Sequence, residues 1–505
     1  MTIKWADLRH TLIDRGQASG VDLESSSRVP DLAVTGIAYD SREVEPGHVF
    51  VALKGLQTDG SFFVRQAVER GAVAVVSEQA QPGLAVPALQ VADARFALAL
   101  LAAEFYGHPS EKMRVIGITG TNGKTTTAYL VASIFQAARI KCGVLGTVAY
   151  RIGDEVREST HTTPEAPDVQ KLLREMLDRG CGACAMEVSS HALSLRRVDA
   201  MTFSAGVFTN LTRDHLDFHG DMDSYFRAKR RLFEELPPDA PSLINLDDPR
   251  GPAVVEVSQK PVTYAISQSA DITPGPLSYS FDGLTFDIRT PRGTLQARSK
   301  LVGRPNVYNI LAAVSTAVAL DLPFDVIEKG VQSLDAVPGR FEVVSSPRDD
   351  IMVVVDYAHT DDALRNLLET ARPLAHGRLI TVFGCGGDRD RTKRPLMGAV
   401  AGRLSDVVVI TSDNPRREDP GRIIDEVQRG ITTDTRRAGS QLLAIPDRRV
   451  AIVKAIEVAR PGDLVLLAGK GHEKYQIVGD AWLPFDDVAV AREVLARRRT
   501  DSRVV

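Results

Sequence analysis

Cysteine is scarce in this chain, with four among 505 residues. So few cannot staple a protein of this size, which excludes a disulfide framework. Cys181 and Cys184 form a C-x-x-C, but no second pair and no matching His pair accompanies them to complete a zinc site. They sit in CGACAMEVSS, which reads as a strand entering a loop, and are expected to be buried as small apolar side chains. Long hydrophobic runs are missing as well. No stretch approaches the ~20 apolar residues of a membrane span, and MTIKWADLRHTLIDRG at the amino end lacks the apolar core of a signal peptide. Basic blocks are absent apart from ARRRTDSR near the carboxyl end, read as a solvated helix end, and the net charge is −4. Nothing in this balance calls for nucleic acid or an anionic membrane. The expectation is a cytoplasmic protein with no membrane insertion and no nucleic-acid partner, acting as a monomer on small molecules. His215 and His219 in RDHLDFHG have the spacing of helix-borne zinc ligands, yet Leu216 stands where a zinc protease needs glutamate, so that chemistry is rejected.

What the chain does have is alternation. A prior near 150 residues per domain predicts roughly three domains. Between Val34 and Val91 the strand-like runs HVFVALKG and AVAVVSE flank the helix-like FFVRQAVERG, a small α/β unit. The helical run ARFALALLAAEFYG then leads through His108 and Pro109 into a larger region. There CGVLGTVAY, GACAMEVS, AGVFTNL and PSLINLD recur as strand signals, as expected of a parallel sheet covered on both faces. A strand-rich insert is read from about Val262 to Leu301, and the helix PNVYNILAAVSTAVAL closes the region. After Val337-Pro338-Gly339-Arg340 a second doubly wound unit begins. The fold class expected is α/β with a small N-terminal domain (1–107), a central P-loop ATPase domain (108–336) and a Rossmann-like C-terminal domain (337–505).

The chemistry starts at IGITGTNGKTT. A strict phosphate-binding loop needs glycine where Ile118 stands, but Gly120 and Gly123 still lie between a strand and a helix, where backbone N–H groups can face phosphate oxygens. Lys124 is expected to be exposed until it meets the β- and γ-phosphates, and the Thr125 hydroxyl to hold Mg²⁺. Other polar loops follow the later strands: His161 to Pro164, Glu187 to His191, and Thr209 to His215. Glu187 and His215 are candidate Mg²⁺ ligands, since hard cations favour carboxylate and can take imidazole; structural pairing is the alternative for Glu187. In the last region GCGGDRDRTKRP offers glycines for close approach and several cations for an anion, without continuing to a dinucleotide fingerprint. SDNPRRED and GKGHEKYQ add Asn414, Arg416, Lys470, His472 and Glu473 to what reads as a polar cleft.

Taken together, GTNGKTT, MEVSSH, FTNLTRDHLDFHGDMDSYFRAK, LVGRPNVYN, VPGRFE, VDYAHTDDAL, GCGGDRDRTKRPLM, SDNPRRED and GKGHEKYQ resemble the Mur ligases, from about Tyr39 to Gln476. The resemblance implies ATP-dependent addition of meso-diaminopimelate to UDP-N-acetylmuramoyl-L-alanyl-D-glutamate through an acyl phosphate, in peptidoglycan precursor synthesis. It implies that Gly120, Thr121, Asn122, Gly123, Lys124, Thr125 and Thr126 hold the ATP phosphates, with Asn309, Arg340, Asp356 and His359 completing the nucleotide site. The muramoyl precursor would lie across Tyr39, Ser41, Leu56, Gln57, Thr58, Thr162, Thr163, Ser189 and Arg197. Diaminopimelate would meet Arg389, Asp413, Asn414, Pro415, Arg416, Gly469 and Glu473. Mg²⁺ would be served by Thr125, Glu187, His215 and Lys229, the last as a carbamate, although spacing alone would make Lys229 a surface lysine on a helix. His161 and Leu195 depart from the family pattern. Rival readings are the L-lysine-adding relative, a folylpolyglutamate synthase, against which DSREVEPGHVFVALKGLQTDG argues, and a nucleotide-gated switch, for which no N-K-x-D signal is present.

Overall fold

The computed structural model describes residues 1–18, 32–55, 58–280 and 283–501. The run RVIGIT forms the strand Arg114–Thr119, buried from Val115 onward on both faces, which is why it reads as continuous apolar rather than alternating sequence. It lies inside an eight-stranded sheet whose order is Glu155–Glu158, Ala149–Ile152, Cys142–Leu145, Ala183–Glu187, Arg114–Thr119, Ala205–Phe208, Ser242–Asn245 and Pro261–Tyr264. The pairing from Cys142–Leu145 to Pro261–Tyr264 is parallel, and the two strands at the other edge are antiparallel. Helix Lys124–Ala137 is buried nearly all round because it is packed between the sheet and the helices Arg304–Ala319 and Phe324–Gln332. Helices Ala166–Asp178 and Met222–Glu234 cover the opposite face.

Two details differ from the sequence reading. CGVLGTVAY is not one strand: it ends at Leu145, turns through Gly146, and returns antiparallel from Ala149. The carboxylate of Glu187 fills the space beside Gly146, and the turn keeps the Thr147 N–H free to bond it. The insert also begins later than Val262. Pro261–Tyr264 completes the parallel sheet, and the antiparallel strands of the insert lie between Thr273 and Ser299.

The amino-terminal unit is a four-stranded parallel sheet, Gly36–Ala38, His48–Ala52, Ala74–Ser77 and Ala88–Gln90 in that order, packed on helices Trp5–Asp14 and Ala94–Phe105. The carboxyl-terminal unit is a six-stranded sheet in the order Glu342–Val343, Met352–Asp356, Leu464–Ala468, Leu379–Phe383, Val407–Ile410 and Gln441–Ala444. Only the first strand is antiparallel. Its strands are buried aliphatic runs, each fully buried Leu, Ile or Val contributing about 1.5–3 kcal/mol over exposure. Cys142, Cys181, Cys184 and Cys385 are all buried free thiols, as small apolar side chains should be.

Candidate active site

The parallel strands place their polar loops at one edge, the position where ligands bind in open α/β sheets. Gly120 adopts φ 148° and Gly123 φ 86°, which side chains rarely adopt, and a Cβ on either would strike Thr209 Oγ1 or Asn309 Oδ1. The loop is fastened from the next strand: Asn210 Oδ1 accepts from the Asn122 N–H at 2.9 Å, and Thr209 Oγ1 donates to the Asn122 carbonyl at 2.7 Å. Lys124 is not exposed as expected. Its ammonium folds back to donate to the carbonyls of Gly120 (2.9 Å) and Thr121 (2.7 Å). Burial and the nearby Arg340 push its pKa down, opposed by Glu187 and Asp214.

Glu187 is 1 % exposed at the end of its strand. It accepts from Thr125 Oγ1 (2.9 Å), the Thr147 N–H (2.8 Å) and Thr147 Oγ1 (3.1 Å), and among the described residues it has no ion-pair partner. Its three donors are all neutral, one of them the loop threonine, so the carboxylate oxygens face no paired cation and suit a metal ion. His215 stands nearby with its pKa lowered to about 3, chiefly by burial, so its imidazole stays neutral and able to coordinate. Lys229 is no surface lysine: it is 1 % exposed, donates to the Gly120 carbonyl at 2.7 Å and lies 4.7 Å from the Tyr225 ring centre. Burial, then the charge of Lys124, drive its pKa well below the ordinary value. Among the described residues no three His, Cys, Asp or Glu side chains converge as a ready-made metal site. The donor set of one hydroxyl, one unpaired carboxylate and one neutral imidazole nevertheless fits a hard cation that takes its remaining ligands from phosphate oxygens.

The carboxyl-terminal unit closes the site from above. Thr121 to Thr126, Glu187, His215, Lys229 and Asn309 line one cavity of about 1130 Å³ together with Arg340, Asp356 and His359. Arg340 reaches across to donate to Thr125 Oγ1 at 3.1 Å and rests 4.7 Å from the Tyr357 ring centre. Asp356 accepts from the N–H groups of Phe341 and Ala358, and burial raises its pKa. His359 faces Asp214 at 3.8 Å, and Asn122 Nδ2 donates to Asp362 at 3.3 Å. The pairing of Asp214 and Asp362 with the other unit was not read from the sequence. No local pattern could signal it, because the partners lie more than a hundred positions apart.

Thr162 and Ser189 line the same cavity. Thr163 lies just behind, donating to the Glu187 carbonyl, and Arg197 donates to the Thr163 carbonyl while pairing with Glu165. Tyr39 comes from the amino-terminal unit and donates to Asp168 at 2.7 Å. Ser41 is buried and bonded to Gln66, and Thr58 is exposed; neither is brought to the cavity. Leu56 and Gln57 lie outside the described residues. The His161 side chain is exposed, and Leu195 caps the short helix Ser190–Ser194.

A second cluster sits at the carboxyl edge of the last sheet. Arg416 is half-buried with φ 52°, donates to the Gly387 carbonyl at 2.8 Å, and among the described residues has no ion-pair partner. Its pKa is lowered, first by burial and then by Arg389 beside it. Arg417 points away to the exposed Asp480. Asn414 donates to Glu473 at 2.9 Å, and Gly469 at φ 112° passes close to the Asp413 carboxylate. Not every cation of GCGGDRDRTKRP is available to an anion: Arg391 and the fully buried Arg394 both pair with Glu418. Lys470 is fully buried among Asp413, Asn414 and Glu473.

Three family models match successive parts of the chain: the Mur ligase family catalytic domain over residues 33–106, the Mur ligase middle domain over 118–317, and the Mur ligase glutamate ligase domain over 339–471. The chain belongs to the Mur ligase family. It is 49 % identical over 475 residues to UDP-N-acetylmuramoyl-L-alanyl-D-glutamate–2,6-diaminopimelate ligase of Geobacter metallireducens, covering 90 % of this chain and 93 % of that protein. The ligase of the same name from Gloeobacter violaceus is 45 % identical over 493 residues, 97 % of this chain and 98 % of that one. A solved structure of UDP-N-acetylmuramoyl-L-alanyl-D-glutamate–2,6-diaminopimelate ligase superposes with a TM-score of 0.65 at 35 % identity, covering 92 % of this chain and 95 % of that chain. This Mur ligase therefore has the three-domain α/β architecture read from its sequence, with a parallel-sheet central domain and a Rossmann-like carboxyl-terminal one.

Proposed function

We propose that this Mur ligase joins meso-diaminopimelate to UDP-N-acetylmuramoyl-L-alanyl-D-glutamate at the expense of ATP, a step of peptidoglycan precursor synthesis. The relatives' names and the phosphate loop support the ligase reading. The observation that carries the choice of amino acid is Arg416, half-buried beside Arg389 with no anionic partner of its own among the described residues. Diaminopimelate differs from lysine by a second carboxylate at its far end, and a guanidinium can grip such a group through two parallel hydrogen bonds. Arg389, Asp413, Asn414, Pro415, Gly469 and Glu473 complete the proposed pocket, with Glu473 suited to the distal ammonium.

Residues 1–107 would bind the precursor, 108–336 ATP, and 337–505 the amino acid. The glycine-rich loop holds the phosphates while Lys124 turns from the loop carbonyls towards the γ-phosphoryl group. An oxygen of the D-glutamate side-chain carboxylate attacks that phosphorus and ADP leaves, giving an acyl phosphate. The free amine of diaminopimelate then attacks the acyl carbon, its proton is lost, and phosphate departs as the amide forms. Lys124 and Arg340 stabilise the charge that develops on the phosphoryl oxygens. Thr125, Glu187, His215 and Lys229 as a carbamate would hold Mg²⁺, which when bound offsets the phosphate charge. Among the described residues no helix is long and apolar enough to cross a membrane. We place the enzyme in the cytoplasm as a monomer.

Two measurements test this reading. Wild-type enzyme is expected to release phosphate only when precursor, ATP and diaminopimelate are all present, and to prefer diaminopimelate over L-lysine at least tens-fold. Lysine would leave Arg416 desolvated and unpaired, which typically costs roughly 2–5 kcal/mol. Arg416→Ala should lose diaminopimelate efficiency by a comparable factor while KM for ATP and precursor stays near normal; equal use of the two amino acids by wild type would sink the assignment. In the second measurement, chelation with EDTA should stop phosphate release and added Mg²⁺ restore it, whereas full turnover in EDTA would remove the cation site.

A further inference from the structure

Resting on the amino-acid site proposed above, we infer that Arg448 and Asp487 form a positioning pair that sets the spacing between the two loops of that site. Both side chains are fully buried. Arg448 opens the helix Arg448–Val458, and Asp487 opens Asp487–Asp501. The guanidinium grips the carboxylate twice, Nε to Oδ1 at 2.8 Å and Nη2 to Oδ2 at 2.6 Å. Its outer edge then reaches two main-chain carbonyls, Ala468 from Nη2 at 3.0 Å and Ser412 from Nη1 at 3.5 Å.

Those two carbonyls belong to different strands. Ala468 ends Leu464–Ala468, and Ser412 lies just beyond Val407–Ile410. Leu379–Phe383 runs between the two strands, so no backbone ladder joins them directly. One residue further along each chain begin Asp413–Arg416 and Gly469–Glu473, the loops that carry the proposed diaminopimelate contacts. Arg448 thus ties the roots of the two loops from beneath. Lys470 ties their side chains above, through Asp413 (3.3 Å), Asn414 (2.9 Å) and Glu473 (3.1 Å).

Stability alone does not explain this arrangement. An arginine at the first turn of a helix faces the positive end of the helix dipole. A buried ion pair can often be replaced by apolar residues of similar volume with no loss of stability. What an apolar pair cannot do is reach two carbonyls on strands that are not neighbours. Lysine cannot do all of it, since its three donors on one nitrogen cannot make the four bonds by which the planar fork joins Asp487, Ala468 and Ser412. The distance between Arg416 and Glu473 must match the length of the bound amino acid, and this bridge fixes it from beneath, alongside the bonds that Arg416 makes with Ile477 and Gly479 and that Gln476 makes with Asp413.

The test uses the full chain, with Arg448→Lys and the double variant Arg448→Met/Asp487→Leu. Melting temperature and KM for ATP, precursor and diaminopimelate are measured, with diaminopimelate-over-lysine preference as the specific readout. Small displacements of a site can cost up to about 10²-fold, so the expected result is a rise in KM for diaminopimelate of at least about tenfold and a matching loss of preference. The double variant should fold, with a melting temperature lowered by the loss of the Arg448 donors to the Ala468 and Ser412 carbonyls, and both variants should keep KM for ATP and precursor within about twofold, since neither touches the phosphate loop. Either folded variant with unchanged KM and preference for diaminopimelate overturns the inference, as does a parallel rise of all three KM values, the mark of a merely structural role. Should the double variant fail to fold, Arg448→Lys decides. Wild-type enzyme that ignores diaminopimelate overturns the ligase assignment itself, before any variant is compared.

Discussion

Lys229→Ala is expected to stop ligase turnover almost completely, and small carboxylates such as acetate or formate are expected to restore part of it. The side chain is buried against the Tyr225 ring, with its nitrogen on the Gly120 carbonyl and, among the described residues, no carboxylate paired to it. Burial and Lys124 favour the uncharged amine. An uncharged amine can attack the carbon of carbon dioxide and, on losing a proton, become a carbamate. That change turns a neutral amine into an anionic group with a pair of hard oxygen ligands of the kind Mg²⁺ prefers. Loss of a group that orients a metal or its ligands typically costs roughly 10–100-fold, and more when the metal itself is displaced. The measurement is kcat with and without added carboxylate, alongside carbon NMR of enzyme equilibrated with ¹³C-bicarbonate. A plain lysine in fully active, metal-loaded enzyme, or a variant that acetate does not help, would contradict the carbamate.

Lys124→Ala should reduce kcat by about 10²-fold or more, by analogy with other lost donors to a developing anion. The fold should survive, because Gly120 keeps Lys229 as a donor to its carbonyl and the loop is held independently by Thr209 and Asn210. The lysine donates to two loop carbonyls, and burial lowers its pKa. Incoming phosphate oxygens replace those carbonyls and favour the charged form again. The loss should therefore fall on turnover, with KM for precursor and diaminopimelate little changed and the melting temperature close to wild type. Near-normal kcat at saturating ATP would remove Lys124 from the transition state.

Much of this molecule was legible in one dimension. Buried strands of a parallel sheet must be apolar on both faces, so VVVI or LVLLA announces itself without any partner in view. A loop that approaches phosphate needs positive φ and no side chain, so Gly120 and Gly123 mark it even with Ile118 in place of the usual first glycine. The errors came where one residue's neighbours decide its state. CGVLGTVAY reads as a single strand because nothing in its composition shows that Glu187 needs the Thr147 N–H, and hence a turn at Gly146. Pro261–Tyr264 reads as part of the insert because only the preceding strand, Ser242–Asn245, shows it to be the last member of the parallel sheet.

The sequence by itself determined the three α/β units, the phosphate loop and the polar residues at the strand ends, since these follow from periodicity and backbone conformation. Charge state and reach were decided only by the tertiary structure. Lys229 is a surface lysine by spacing and a buried amine by packing; Lys124 is a free cation by motif and a bonded one by the carbonyls around it. Arg340 meets Thr125, His359 meets Asp214 and Arg448 spans two separated strands, each across a gap that no local pattern encodes. Burial and hydrogen bonding depend on which side chains share a space, and that is settled when the units close on one another.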